Sequence, residues 1–227
     1  MKKNKLLITV IIVLIIIVIS FITIKFSSNT SKLPSPKVSS GLRGELGIDK
    51  NINEDNIDKY LSREDIVFYD MRMLIDDAQY ENIGGDSYLS GFIKGFEVIP
   101  YPYLAPVINL PEEVGEAYKG RTLFSINENN QYIANYKESN DILEYLFPKD
   151  KIIFLMCGGG GYAGMTKTML VSLGWDENKI YNVGGYWYYN GKNNIIVKRV
   201  NNDNTVSYDF WKVPYHNIDF DELHEVR

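Results

Sequence analysis

Residues 152–164 constrain the fold more than any other stretch. They read IIFLM, then Cys157, then Gly158-Gly159-Gly160-Gly161, then Tyr162-Ala163-Gly164. Five consecutive apolar residues without alternation suit a strand buried on both faces. An amphipathic run follows from about Ala163 to Leu173, with Gly174 placed as the residue that ends a helix. Strand, glycine-rich turn and helix in that order form half of a parallel β-α-β unit.

The rest of the chain repeats the pattern. Residues 66–69 (IVFY), ending at Asp70, and residues 179–183 (KIYNV) read as further buried strands, and 97–99 as a short one. Residues 53–61 (NEDNIDKYL) suggest a short helix capped by Asn53, and residues 141–147 (DILEYLF) a helix stopped by Pro148. Doubly apolar strands separated by helices predict an α/β fold with a central parallel sheet flanked by helices. Ligand sites in such sheets lie at the carboxyl ends of the strands, which puts Asp70 and Cys157 on one edge. Residues 195–211 (IIVKRV-NNDN-TVSYDFW) read as a C-terminal β-hairpin.

Residues 6–24 (LLITVIIVLIIIVISFITI) are apolar apart from Thr9, Ser20 and Thr23. Nineteen helical residues suffice to cross a hydrocarbon layer about 30 Å thick. Lys2, Lys3 and Lys5 precede the run and favour a cytoplasmic N-terminus, with the following domain facing outward. The run is longer than a signal-peptide core and no small-residue cleavage site follows it, so an uncleaved anchor is expected. The expected organisation is an anchor (1–26), a Ser/Pro/Lys-rich flexible linker (27–45), an α/β domain (46–194) and a C-terminal extension (195–227). This predicts a single-pass protein of the cell membrane. Net charge is −5 and no basic stripe is visible, which argues against a nucleic-acid surface.

Cys157 is the sole cysteine, and His216 and His224 are distant in sequence, so neither a disulfide nor a metal site is expected, nor any cofactor. Glycines can turn several backbone N–H groups toward one point, and a helix N-terminus adds to the effect. A cysteine beside such a cradle is expected to have a lowered pKa and raised nucleophilicity.

At this point the residues resemble a rhodanese-like (sulfurtransferase) domain. Asp70-Met71-Arg72 resembles the D-x-R that ends an early strand of that family. Residues 91–100 (GFIKGFEVIP) resemble its G-H-I-P-G-A-x-N-I-P segment, with Phe92 in place of His and Lys94 in place of Pro. Cys157 takes the catalytic cysteine position, and Leu173-Gly174, Gly184-Gly185 and Trp187 keep the family's order, so the resemblance spans roughly residues 53–189. It implies that Cys157 attacks the outer sulfur of a donor such as thiosulfate and becomes a persulfide, which a thiol acceptor then discharges. Gly158, Gly159, Gly160, Gly161 and Tyr162 would hold the persulfide through backbone N–H groups. Asp70 and Arg72 are the supporting candidates.

Two departures stand out. The arginine that commonly follows five residues after the cysteine is Tyr162 here, and no arginine occurs between Arg121 and Arg199. That argues against a phosphatase, whose phosphate needs a guanidinium. The segments between Arg72 and Gly91 and from Tyr101 to Lys137 are longer than usual, and the second could form a lid or extra subdomain. The alternative to a sulfurtransferase is a rhodanese-like module that binds an anion or a protein partner, for instance an envelope protein, without turnover.

Overall fold

A computed structural model describes residues 32–39, 47–108 and 110–226. The apolar run at 6–24 and most of the 27–45 linker lie outside the described residues. Among the described residues no helix is long and apolar enough to cross a membrane.

Four parallel strands form the centre: β3 (Ile66–Asp70), β5 (Glu97–Val98), β8 (Ile152–Cys157) and β9 (Ile180–Gly185), in the order β5-β3-β8-β9. The expected mixed α/β fold with a central parallel sheet is therefore present. The two central strands are apolar on both faces, as predicted. Ile153 and Leu155 of β8 join Tyr69 and Met71 in one core layer. Phe154 points the other way, and its ring packs at 5.6 Å on Phe68 and 5.0 Å on Tyr181.

Two helices cover the first layer. They are α2 (Ser139–Leu146), which supplies Leu143 and Leu146, and α3 (Gly161–Ser172), which supplies Ala163, Met169 and Leu170. Gly174 ends α3 at φ 98°, in the left-handed region glycine tolerates.

The opposite layer departs from expectation. Residues 53–61 form turns and a single 3-10 turn at Ile57–Lys59 in place of a regular helix. The polar side chains explain it. Asp49 accepts from the N–H groups of Asn51 (2.8 Å) and Ile52 (2.7 Å), and Asn56 accepts from Asn53 N–H (3.2 Å). Asn and Asp satisfy the backbone locally, so the i→i−4 pattern stops at one bond, Ile57 N–H to Asn53 O at 3.0 Å, and i→i−3 turns follow. Ile52 and Ile57 are still buried, and the Tyr60 ring meets Phe154 edge-on.

The smaller elements are accessory. β1 (Val38–Ser39) pairs with β2 (Ile48–Asp49), and β6 (Phe124–Ile126) with β7 (Tyr132–Ala134). This second hairpin and the one-turn α1 (Tyr101–Leu104) lie inside the long 101–137 segment, whose Leu123 and Phe124 are buried in the main core. The tail contains the expected antiparallel hairpin, β11 (Lys198–Val200) with β12 (Val206–Tyr208). Residues 194–196, however, form β10 (Asn194–Ile196), which pairs with β4 (Gly91–Ile93). The tail also meets β5, since Val98 N–H donates to Pro214 O and Val98 O accepts from His216 N–H, both at 2.8 Å. Ser35–Arg227 clusters as a single unit.

Candidate functional site

The site forms where β3 and β8 end. Their register pairs Asp70 with Met156, so Asp70 and Cys157 emerge on the same edge, as expected. The end of β8 is irregular. Leu155 pairs with Asn182 and Cys157 with Gly185, so Val183 and Gly184 together oppose Met156. Gly184 takes φ 95°, and the extra residue is a bulge that re-aims the strand end. A Cβ on Gly185 would press on the backbone of Gly158 and Gly159, so only glycine lets the loop approach β9.

Asn182 fastens this junction. Its side-chain amide donates to Gly160 O at 2.9 Å and to Gly47 O at 2.6 Å, and its Oδ1 accepts from Gly184 N–H at 3.1 Å. Sequence reading passed over this residue. A polar side chain in an otherwise apolar buried strand was the available signal.

The loop divides into two halves. Gly160 N–H donates to Cys157 Sγ at 3.1 Å, and the backbone N–H groups of Tyr162 and Ala163 act on the same sulfur. Of the five residues expected to form the cradle, Gly160 and Tyr162 do so, and Ala163 joins them. Gly158 and Gly159 instead lie under the Trp187 ring, and Gly158 O accepts from Trp187 N–H at 3.2 Å. Trp187 is half-buried and roofs the loop.

The thiol runs against expectation. Cys157 is only 3% exposed, and burial pushes its pKa up. The N–H groups of Ala163, Gly160 and Tyr162 pull it back and the nearby Asp70 carboxylate pushes it further up, so the net direction is upward. The lowered pKa read from the sequence is thus corrected: in the closed loop, desolvation of the thiolate outweighs the cradle.

Arg72 is an internal ion-pair partner. Its Nη2 bonds Asp70 Oδ2 at 2.5 Å and Gly91 O at 2.8 Å, and its Nε bonds Asp70 Oδ1 at 3.0 Å. The Tyr186 ring lies 4.3 Å from its guanidinium carbon. Both Asp70 and Arg72 are therefore at the site, beside Cys157.

The segment between Arg72 and β4 covers the loop. Leu74 O accepts from Leu89 N–H at 2.9 Å, closing a neck of the Ω-loop kind. Inside it, Asp76 accepts from the Tyr162 hydroxyl at 2.9 Å, and the Tyr80 ring packs 5.4 Å from Trp187. Tyr162 thus ties loop to cover. The 101–137 segment braces this cover, as Gln79 N–H donates to Val114 O and Asn82 Nδ2 to Glu113 O.

No family model, curated protein or solved structure matches the chain. The site must therefore be read from its own geometry. Among the described residues no cluster of His, Cys, Asp or Glu could hold a metal ion.

Proposed function

We propose that this chain is a membrane-tethered, outward-facing sulfur carrier of the rhodanese-like kind, working through Cys157. The observation that carries the reading is the collar of backbone N–H groups around Sγ, with Gly160 at 3.1 Å, at the carboxyl end of a central parallel strand. Such donors suit a sulfur that must hold negative charge at an intermediate stage. In the proposed step the deprotonated Sγ attacks the outer sulfur of thiosulfate. A new sulfur–sulfur bond forms, the donor's own sulfur–sulfur bond breaks, and sulfite leaves with the electron pair. The resulting persulfide carries its charge on the terminal sulfur until a thiolate acceptor takes that atom.

The test is mass spectrometry of the purified chain after incubation with thiosulfate or a small-molecule persulfide. One added sulfur on the peptide containing Cys157 is the expected result. Absence of the adduct with both donors overturns the reading. The tether has its own test: residues 6–24 should keep the chain in the membrane fraction through alkaline extraction, with the C-terminus open to external protease.

One observation favours a second reading. The 3% exposure of Cys157 and its raised pKa suit a module that binds an anion or an envelope partner without turnover. Partner binding retained in Cys157→Ala, with no sulfur loading in the parent, would select it.

A further inference from the structure

Beside the Cys157 loop lie two buried N–H donors without a hydrogen-bond partner, Arg72 Nη1 and Trp187 Nε1. Unpaired buried donors are costly, more so when charged, and they are uncommon in native interiors. Neither is explained by packing alone. Arg72 is 6% exposed, and Asp70 and Gly91 O occupy its Nε and Nη2 while Nη1 is left over. Tyr186 covers the face of this guanidinium, and the next residue, Trp187, lays its ring on Gly158 with the edge that includes Cε2, the neighbour of Nε1. Asp70, the partner of this guanidinium, pairs in register with Met156, the residue before Cys157.

We propose that Arg72 Nη1 and Trp187 Nε1 form an oxyanion subsite next to Cys157, taking a small sulfur oxyanion. The proposal deepens the sulfur-carrier reading and rests on it for the class of anion. It assigns to the strand-end Arg72 the donor role that Tyr162 vacates in the loop. The Asp70–Arg72 pair is neutral as a whole, so the subsite offers directed donors with little net charge. That fits a compact anion held by hydrogen bonds, as in backbone anion nests.

The indole N–H resonances of the full-length Cys157→Ser chain provide the test, because this variant cannot load sulfur. Its three tryptophans separate cleanly: Trp175 Nε1 is already bonded to Phe147 O at 2.8 Å, Trp211 is 82% exposed, and Trp187 is the reporter. Sodium thiosulfate and sodium sulfate are titrated separately. The expected result is a saturable shift of the Trp187 resonance with at least one anion while Trp175 stays fixed. Trp187→Phe, which keeps a ring on the loop and removes the N–H, should weaken the affinity about tenfold when both chains are compared by isothermal titration calorimetry with the same anion. An unmoved Trp187 resonance with both anions, or unchanged affinity in Trp187→Phe, overturns the proposal. A positive titration alongside failed sulfur loading in the parent would leave the subsite standing and remove only the transfer chemistry.

Discussion

The Cys157 loop and the 74–89 cover lie against each other but are ordered by different forces. The loop is held mostly by backbone, with Asn182 fastening its junction: a bulge at Gly184, a close approach at Gly185, and the N–H groups of Gly160, Tyr162 and Ala163 around one sulfur. The cover is held by polar side chains. Ser87 Oγ donates to Ala78 O, its N–H donates to Glu81 Oε1, and Asp76 accepts from Tyr162. Glycine geometry is all-or-none, whereas side-chain hydrogen bonds are typically worth about 1 kcal/mol each. The contrast implies a rigid cradle beneath a cover whose opening can be tuned.

The strongest way to break the rigid half is Gly185→Ala. Its Cβ would meet the backbone of Gly158 and Gly159, so we expect a loss of about 3 kcal/mol in urea unfolding and no sulfur loading. Asn182→Ala comes next. It strips three hydrogen bonds from the loop junction and should cost about 2 kcal/mol, with Cys157 alkylation quickened by a loosened cradle. Tyr162→Phe probes the tunable half. Losing the bond to Asp76 should cost about 1 kcal/mol, and iodoacetamide should reach Cys157 several-fold faster, with sulfur loading retained.

The smallest effect is expected from Asp76→Asn, which can still accept from Tyr162. Burial holds the Asp76 carboxyl above its ordinary value. Its contribution to stability is therefore full below the unfolded-state pKa and is lost as pH rises through the folded-state value. Above that window, Asp76→Asn should unfold at the same or slightly higher urea concentration than the parent. Cys157 offers a pH check on the cradle itself. Because burial raises its pKa, the folded chain's alkylation profile should lie at higher pH than that of the urea-unfolded chain. A profile at lower pH would show that the cradle outweighs desolvation.

Sequence reading located β3, β8, β9 and α3 because strands buried on both faces announce themselves as unbroken apolar runs. It placed Asp70 and Cys157 on one edge for the same reason. It missed the turn at Ile57–Lys59, where local side-chain hydrogen bonds override apolar spacing. It gave the thiol the wrong direction because a cradle is visible as glycines, while the burial that opposes it comes from a core whose residues lie far away in the chain. Asn182 was signalled only as a polar residue in an apolar strand, and the partnerless edge of Arg72 had no signal among its sequence neighbours, since its surroundings are completed by Tyr186.

One consequence concerns the edge strand β5. Its outer side is occupied at Val98 by Pro214 and His216, residues made long after the strand itself. Until they arrive, β5 offers free backbone groups to any other extended chain. A chain truncated before Val213 should therefore self-associate, giving aggregates that incorporate the full-length protein only while its own tail is undocked. The tail then serves as a stopper against sheet-to-sheet growth, a role separate from anything at Cys157.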